Sequence, residues 1–287
     1  MTKDFSELRF TDDFMFSKVL STNTELCRKI IELLLQKPIK KVELVDVQKP
    51  IDITGSGRGI RLDVYVNDEN GTVYDLEMQT TDQKCLDKRS RYYQGMLDLN
   101  MIERGSLFSA LKESYIIFIC LEDHFGKSLP VYTFKNTCLE YPCLQLEDDT
   151  TKIFINAKGS RDNLNDEMKA FLDYLINAVP ADGLTNEIEA NVKRIQNNDG
   201  WRLEYMTFEM KLNMMREEGR EEGREEGLEK GREEGLEKGL EEGKNSTLFK
   251  LVSKNLLDIE TASAEAGIPL DEFISKMQSA GYAVPEH

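Results

Sequence analysis

Two alternating runs carry the residues best able to do chemistry. In Ile60-Arg-Leu-Asp-Val-Tyr-Val66 an acid, Asp63, stands among apolar neighbours; in Thr72-Val-Tyr-Asp-Leu-Glu-Met-Gln79 a second acid, Glu77, is followed two residues on by Gln79. Successive side chains on a strand alternate between faces. Asp63 is therefore expected on the face of Arg61 and Tyr65, and Val73, Asp75, Glu77 and Gln79 on one face opposite Tyr74, Leu76 and Met78. Pairing of the two strands can bring both polar faces to one side. Carboxylates meeting across a hairpin repel unless a cation lies between them, and a hard divalent ion with oxygen ligands, Mg²⁺ above all, is the natural occupant. Asp63 and Glu77 are thus the candidate metal ligands, with Gln79 adding a carbonyl oxygen or orienting a water. The segment that follows supplies Lys88, Arg89 and Arg91, cations that can meet a phosphate, with Tyr92 and Tyr93 alongside. Acid, acid-X-polar, then a basic helix suits metal-assisted phosphodiester hydrolysis. The same spacing also suits an ordinary strand with one solvated polar face, and spacing alone leaves both readings open.

The elements that must position these residues are legible. Asn67-Asp-Glu-Asn-Gly71 is a turn cluster, which makes the two runs a β-hairpin. A long helix is predicted over about residues 82–107, carrying Arg89, Arg91, Tyr92, Tyr93, Met96, Leu97 and Leu99. Upstream, Thr11-Asp12-Asp13 announces a helix with Phe14, Phe16, Val19 and Leu20 on its apolar face. Thr24 is expected to cap a second helix with Leu26, Ile30, Leu33 and Leu34 at helical spacing and Pro38 beyond its end. Val42, Leu44 and Val47 suggest a strand, residues 115–121 a buried one, and Val131–Phe134 and residues 152–155 short ones. Helix, helix, hairpin, helix, strand is an α/β order: a mixed sheet flanked by helices.

Composition bounds the function. Among 287 residues, 37 are Lys or Arg and 53 Asp or Glu, a net charge of −16. That excludes a protein that coats nucleic acid through a basic surplus, although a metal and a small basic patch can still bind it locally. No apolar run reaches the roughly 20 residues of a membrane span. The opening Met-Thr-Lys-Asp-Phe leads into a mixed polar stretch rather than a signal peptide's apolar region. Five cysteines, an odd number without framework spacing, point to reduced thiols. A soluble cytoplasmic protein with no membrane association is expected. Cys120, His124, Cys138 and Cys143 match no familiar zinc spacing. Gly55-Ser-Gly57 and Gly59 lack the Gly-Lys-Ser/Thr of a nucleotide loop.

Residues 216–243 repeat every four, as Arg-Glu-Glu-Gly or Leu-Glu-Lys-Gly and close variants, with glycine at 219, 223, 227, 231, 235, 239 and 243. Four residues advance a helix by about 400°, so the glycines trace a slowly drifting stripe. Each costs about 1 kcal/mol against alanine, which leaves an isolated helix marginal. A second helix lying close along the stripe would offset this, so self-association is one reading and a solvated spacer the other. Beyond it, an amphipathic stretch and a helix, Gly-Ile-Pro turn, helix pattern form a tail. That pair can look like a helix-turn-helix, yet its second helix offers only Lys276 as a base. The expected divisions are a core at 1–160, a helical region at 161–215, the repeat helix at 216–244 and the tail at 245–287.

The series Arg61-Leu-Asp63, Tyr74-Asp-Leu-Glu77-Met-Gln79 and Arg89-Ser-Arg-Tyr-Tyr93 resembles the PD-(D/E)XK nuclease family transposases, also called Rpn-type recombination-promoting nucleases. Phe10-Thr-Asp-Asp-Phe-Met-Phe16 is similar to that family's start; Ile117-Phe-Ile-Cys-Leu-Glu-Asp123, Pro130-Val-Tyr-Thr-Phe134 and Phe154-Ile-Asn-Ala-Lys-Gly159 resemble its later core. The resemblance implies a restriction-endonuclease-like fold that cuts DNA with a divalent metal, in recombination or mobile-element biology. It matches Asp63 to the family's Asp, Glu77 to its Asp/Glu and Gln79 to the place usually held by Lys, so Asp63, Glu77 and Gln79 become the expected catalytic set. Lys88, Arg89, Arg91 and Tyr92 become the expected substrate-binding set, with Lys88 or Arg89 able to take over the missing ammonium's role. The resemblance also offers Asp13 or Glu25 as an additional acid from the N-terminal helices. The expected partners are DNA, from the resemblance, and, from the glycine stripe and tail, further copies of the chain through residues 216–287. A nuclease-fold scaffold that lost activity with its Lys is the rival, and a DNA-binding regulator acting through the tail is a second.

Overall fold

Six strands among the described residues build one mixed sheet: β1 (Val42–Ile51), β2 (Ile60–Asp68), β3 (Val73–Gln79), β4 (Ser114–Cys120), β5 (Val131–Phe134) and β6 (Thr150–Asn156). Their spatial order is β1-β2-β3-β4-β6-β5. The β3/β4 and β4/β6 pairs are parallel, and the other three are antiparallel. The computed structural model describes residues 3–51, 60–81, 84–103 and 105–285, the side chains of Leu44 and Gln48 excepted. Gly55, Gly57 and Gly59 lie outside the described residues.

One sheet face is covered by α1 (Asp13–Thr22), α2 (Thr24–Leu35), α4 (Asp166–Asn177) and α5 (Gly183–Gln196), and the other by α3 (Leu86–Met101). Phe16, Leu20, Ile30, Phe171 and Ile188 meet Tyr74, Leu76, Met78, Ile117 and Ile155 on the first face. Leu86, Tyr93 and Leu97 meet Phe118 and Phe154 on the second. Covered on both sides, β3 and β4 are buried at every position, as expected for central strands that carry parallel pairing. The helical stretch after residue 160 thus shares the core of the residues before it.

The hairpin forms as expected, and Gly71 takes φ +79° in its turn, a conformation glycine adopts without steric cost. The helix expected over residues 82–107 is shorter. It starts at Leu86, after Cys85 at φ 65°, and ends at Met101, where Ile102 turns extended. Residues 82 and 83 lie outside the described set. Leu107 and Phe108 are 77% and 85% exposed, so nothing packs there to extend the helix. The second helix is capped by Asn23 rather than Thr24, the Asn23 carboxamide oxygen accepting from the Leu26 amide.

After β6 the chain passes very close to the start of β5. A Cβ on Gly159 would lie 2.4 Å from Pro130 Cα and 2.7 Å from the Leu129 oxygen. Both are backbone atoms and cannot swing aside. Gly159→Ala is expected to lower the unfolding free energy by about 1–3 kcal/mol, read as an earlier urea midpoint. An unmoved midpoint contradicts this.

The chain divides into two compact units, Met1–Phe208 and Glu209–His287. The second has a core of its own. Leu248, Phe249 and Val252, from the end of α6 (Asp199–Ser253), pack with Ile259 and Ala262 of α7 (Ile259–Ala266) and with Phe273 and Met277 of α8 (Leu270–Ser279). Gly267, at φ +75°, turns α7 into α8. The tetrad repeat is continuous helix within α6. A Cβ at any of its seven glycines would meet nothing within 4 Å, and Leu228, Leu236 and Leu240 are exposed. Among the described residues no helix is long and apolar enough to cross a membrane.

Candidate active site

The site forms where β2 and β3 part. Their ladder pairs Asn67 with Val73, Val66 with Tyr74, Tyr65 with Asp75 and Val64 with Leu76, and goes no further. Beyond it the carboxylates replace backbone carbonyls. The Asp63 amide donates to Glu77 Oε1 at 3.0 Å, and the Met78 amide donates to Asp63 Oδ2 at 3.1 Å. Each acid thus satisfies a backbone donor of the opposite strand that the splayed ladder would otherwise orphan. Strict alternation also breaks here. Leu62 and Tyr65 pack with the α3-side cluster, whereas the Arg61 guanidinium lies 5.9 Å from the Phe208 ring on the first face. Arg61 and Tyr65 therefore do not share the face that alternation predicts.

From α3, Arg89 reaches across to β3. Its Nη2 lies 2.6 Å from Glu77 Oε2, Nη1 donates to Gln79 Oε1 at 3.3 Å, and Nε donates to the Tyr93 hydroxyl at 2.8 Å. The guanidinium also sits 4.9 Å from the Tyr93 ring and 5.7 Å from the Phe118 ring. Tyr93, one turn after Arg89, presents hydroxyl and ring to the same side chain. Gln79 is oriented further by its Nε2, which donates to the Met78 carbonyl.

Negative charge is concentrated. Asp75 and Glu77 are fully buried and Gln79 nearly so. Burial pushes the Asp63 carboxyl up to about 6, with Asp13 adding to the rise and the Met78 amide and Arg89 opposing it. Burial also raises Glu77 and Asp75 well above the ordinary carboxylate range; Asp75 and Asp63 reinforce the rise for Glu77, as Asp63 does for Asp75, and Arg89 offsets part of each. Asp13, the first residue of α1, opens to solvent at the site, and its carboxyl is raised by crowding from surrounding protein and by Asp12. Neither Asp75 oxygen meets a donor. Glu77 stands close enough to share a proton with it, but as carboxylates the two can only repel.

These raised values set the sign of a pH effect. Asp63 titrates at 3.8 when unfolded and about 6 when folded, so in that interval the folded chain holds the proton more tightly. Its contribution to stability is present below the unfolded value and is lost as pH rises through the folded one. In metal-free buffer, Asp63→Asn is expected to gain stability relative to the parent as pH climbs from about 4 to about 7. Thermal unfolding of both proteins across that range checks this, and a constant difference contradicts it.

Asp63, Glu77, Gln79 and Arg89 are thus brought together. Lys88, Arg91 and Tyr92 lie exposed on α3. Of the two N-terminal acids, Asp13 joins the site electrostatically, whereas Glu25 pairs with Arg28 on the surface of α2. Cys120 is buried and Cys143 exposed, and no zinc set forms among the described residues. Asp75, which the sequence places on the Glu77 face but not among the candidate ligands, and Tyr93, named only alongside the basic residues, also join the site. For Asp75 a signal existed: it stands two before Glu77, on the same strand face.

Residues 10–181, well over half of the chain, match the family model described as PD-(D/E)XK nuclease family transposase. The chain belongs to this family. Its mixed, helix-flanked sheet is consistent with the restriction-endonuclease-like fold. No curated protein matches it, and no solved structure does. The family is one of nucleases, implies DNA as substrate, and typically uses divalent metals. The residues present fit a divalent ion in chemistry: oxygen donors, surplus negative charge and two buried oxygens on Asp75 without a donor. As the side chains stand, no three acids, cysteines or histidines among the described residues are grouped to hold an ion, and Glu77 is engaged by Arg89.

Proposed function

We propose that this chain is a divalent-metal-dependent DNA endonuclease acting in recombination or transposon biology. The observation that carries the reading is the cross-strand pair of Asp63 and Glu77, each accepting an amide of the other's strand, with Arg89 set against Glu77. Asp63 and Glu77 would hold Mg²⁺ or another divalent ion, which when bound supplies positive charge against a phosphate and makes a water a better nucleophile. Gln79, fixed through Arg89 and the Met78 carbonyl, orients a ligand or water. Arg89 brings from α3 the positive charge that a Lys at position 79 would have brought. Lys88, Arg91 and Tyr92, exposed on the same helix, contact the nucleic-acid backbone. With a net charge of −16, attraction is confined to this local patch, so binding is modest and depends on the metal.

The test is plasmid nicking by the purified full chain with Mg²⁺, Mn²⁺ or EDTA. Nicking that needs the metal supports the reading. Its absence with every metal, from folded protein, favours the second reading, a nuclease-fold scaffold. Two observations lean that way: Gln79 stands where Lys is usual, and Glu77 already holds Arg89. Nothing favours a regulator that reads DNA through the tail, since Lys276, the one base of α8, is paired with Glu272.

The proposal includes assembly of identical chains through residues 216–287, the open glycine stripe admitting a second helix. Deletion of 216–287 is expected to lower the subunit number measured by light scattering; an unchanged number removes assembly from the proposal. A cytoplasmic location, in keeping with five free cysteines, completes it.

A further inference from the structure

We propose that Asp75 is a third carboxylate of the cation site, taking the divalent ion together with Asp63 and Glu77. This inference rests on the reading of the site as one that binds such an ion. Asp75 is the least explained side chain of the core. It is fully buried, and both of its oxygens lack a hydrogen-bond donor. A buried carboxylate in that state is disfavoured unless something positive reaches it. No plain packing role accounts for it. On its inner side Asp75 borders apolar Val73, Ile116 and Phe118.

Its surroundings leave the ion as the natural complement. Asp75 lies on β3 two residues before Glu77, and its register partner across the hairpin is Tyr65, two residues after Asp63. It therefore stands immediately inward of the two candidate ligands, on the same side of β3 as Glu77. Asp63 raises its energy by like-charge repulsion, and Glu77 relieves it only when the two share a proton. Arg89 relieves it only at a distance, since the guanidinium bonds directly to Glu77, Gln79 and Tyr93. The acids do not converge while Glu77 Oε2 is held by Arg89, so ligation requires Glu77 to turn away from the guanidinium. Asp75, with both oxygens uncommitted, then becomes the third oxygen donor. Six to eight oxygens around Ca²⁺, or an octahedron around Mg²⁺ completed by water, readily admit three carboxylates.

The experiment is titration of the full chain with Mn²⁺ alone, by calorimetry, comparing the parent with Asp75→Asn and using Glu77→Gln as the benchmark. Asp75→Asn is expected to weaken Mn²⁺ binding at least tenfold, as Glu77→Gln does, and to unfold at a higher temperature than the parent in EDTA. If Asp75→Asn does not fold, judged by circular dichroism, Asp75→Leu replaces the carboxylate by an apolar group of similar size and gives the same comparison. Unchanged Mn²⁺ affinity in the folded variant overturns the inference, even if nicking falls, and leaves Asp75 a buried acid held by a proton. That result leaves the Asp63 and Glu77 assignment standing. A parent that binds no Mn²⁺ and nicks no DNA overturns both together.

Discussion

Glu77→Gln is expected to lower metal-dependent plasmid nicking by roughly a thousandfold, about 4 kcal/mol of transition-state stabilisation, while the protein stays folded. The substitution isolates charge from shape. A glutamine oxygen can still accept from the Asp63 amide, as Glu77 Oε1 does at 3.0 Å, so the strand ends keep their geometry. What is lost is one of the negative charges that would hold the ion, and with it the ion pair to Arg89. Because burial and two neighbouring acids make the ionised Glu77 costly, removing its charge should also raise stability in EDTA at neutral pH. Asp63→Asn should behave alike, its amide oxygen still available to Met78. Weaker activity with intact or higher stability distinguishes a lost reaction from a lost fold. A variant that nicks DNA as fast as the parent would falsify the assignment of these carboxylates.

Arg89→Met is the second large effect. The side chain is 28% exposed and its partner Glu77 fully buried, so the substitution leaves an acid inside the protein without its cation. Breaking such a pair costs about 3 kcal/mol or more when the remaining group stays charged. The sign with pH follows. Without Arg89 the Glu77 carboxyl rises further above its ordinary value, so the deficit shrinks as acid protonates Glu77 and grows as rising pH ionises it. Nicking should fall by roughly a hundredfold, the scale of losing one positive group aimed at developing charge. Arg89→Lys keeps the charge but not the fork that spans Glu77, Gln79 and Tyr93, and should recover only part of it. Should Arg89→Met nick faster and at lower Mg²⁺ than the parent, Arg89 would be a competitor of the ion rather than its helper.

The hairpin and its acids were legible because they depend on local rules. A turn cluster ending in Gly71 between two alternating runs dictates antiparallel pairing, and pairing across so short a loop leaves Asp63 and Glu77 opposite one another where the ladder ends. The basic helix after them was legible in content but not in extent. Its start depends on the left-handed Cys85, and its end on Leu107 and Phe108 finding no packing partner. The helical tail likewise announced itself through a Gly-Ile-Pro turn and apolar spacing.

By itself, then, the sequence determined the α/β order, the hairpin, the pair of carboxylates and the family they belong to. All of these follow from neighbours along the chain or across one tight turn. Only the tertiary structure decided how the charges are arranged. Alternation breaks between Arg61 and Tyr65: Tyr65 packs into the core under α3, whereas the exposed Arg61 lies near the Phe208 ring on the other face. Arg89, rather than Lys88 or Arg91, meets Glu77 because α3 settles on β3 with that one side turned inward. Asp13 rather than Glu25 reaches the site because α1, not the exposed face of α2, opens beside it. Asp75 is left without a donor because it lies beneath α3, on a strand covered from both sides. Each of these depends on contacts between segments distant in the chain, and burial sets their energy.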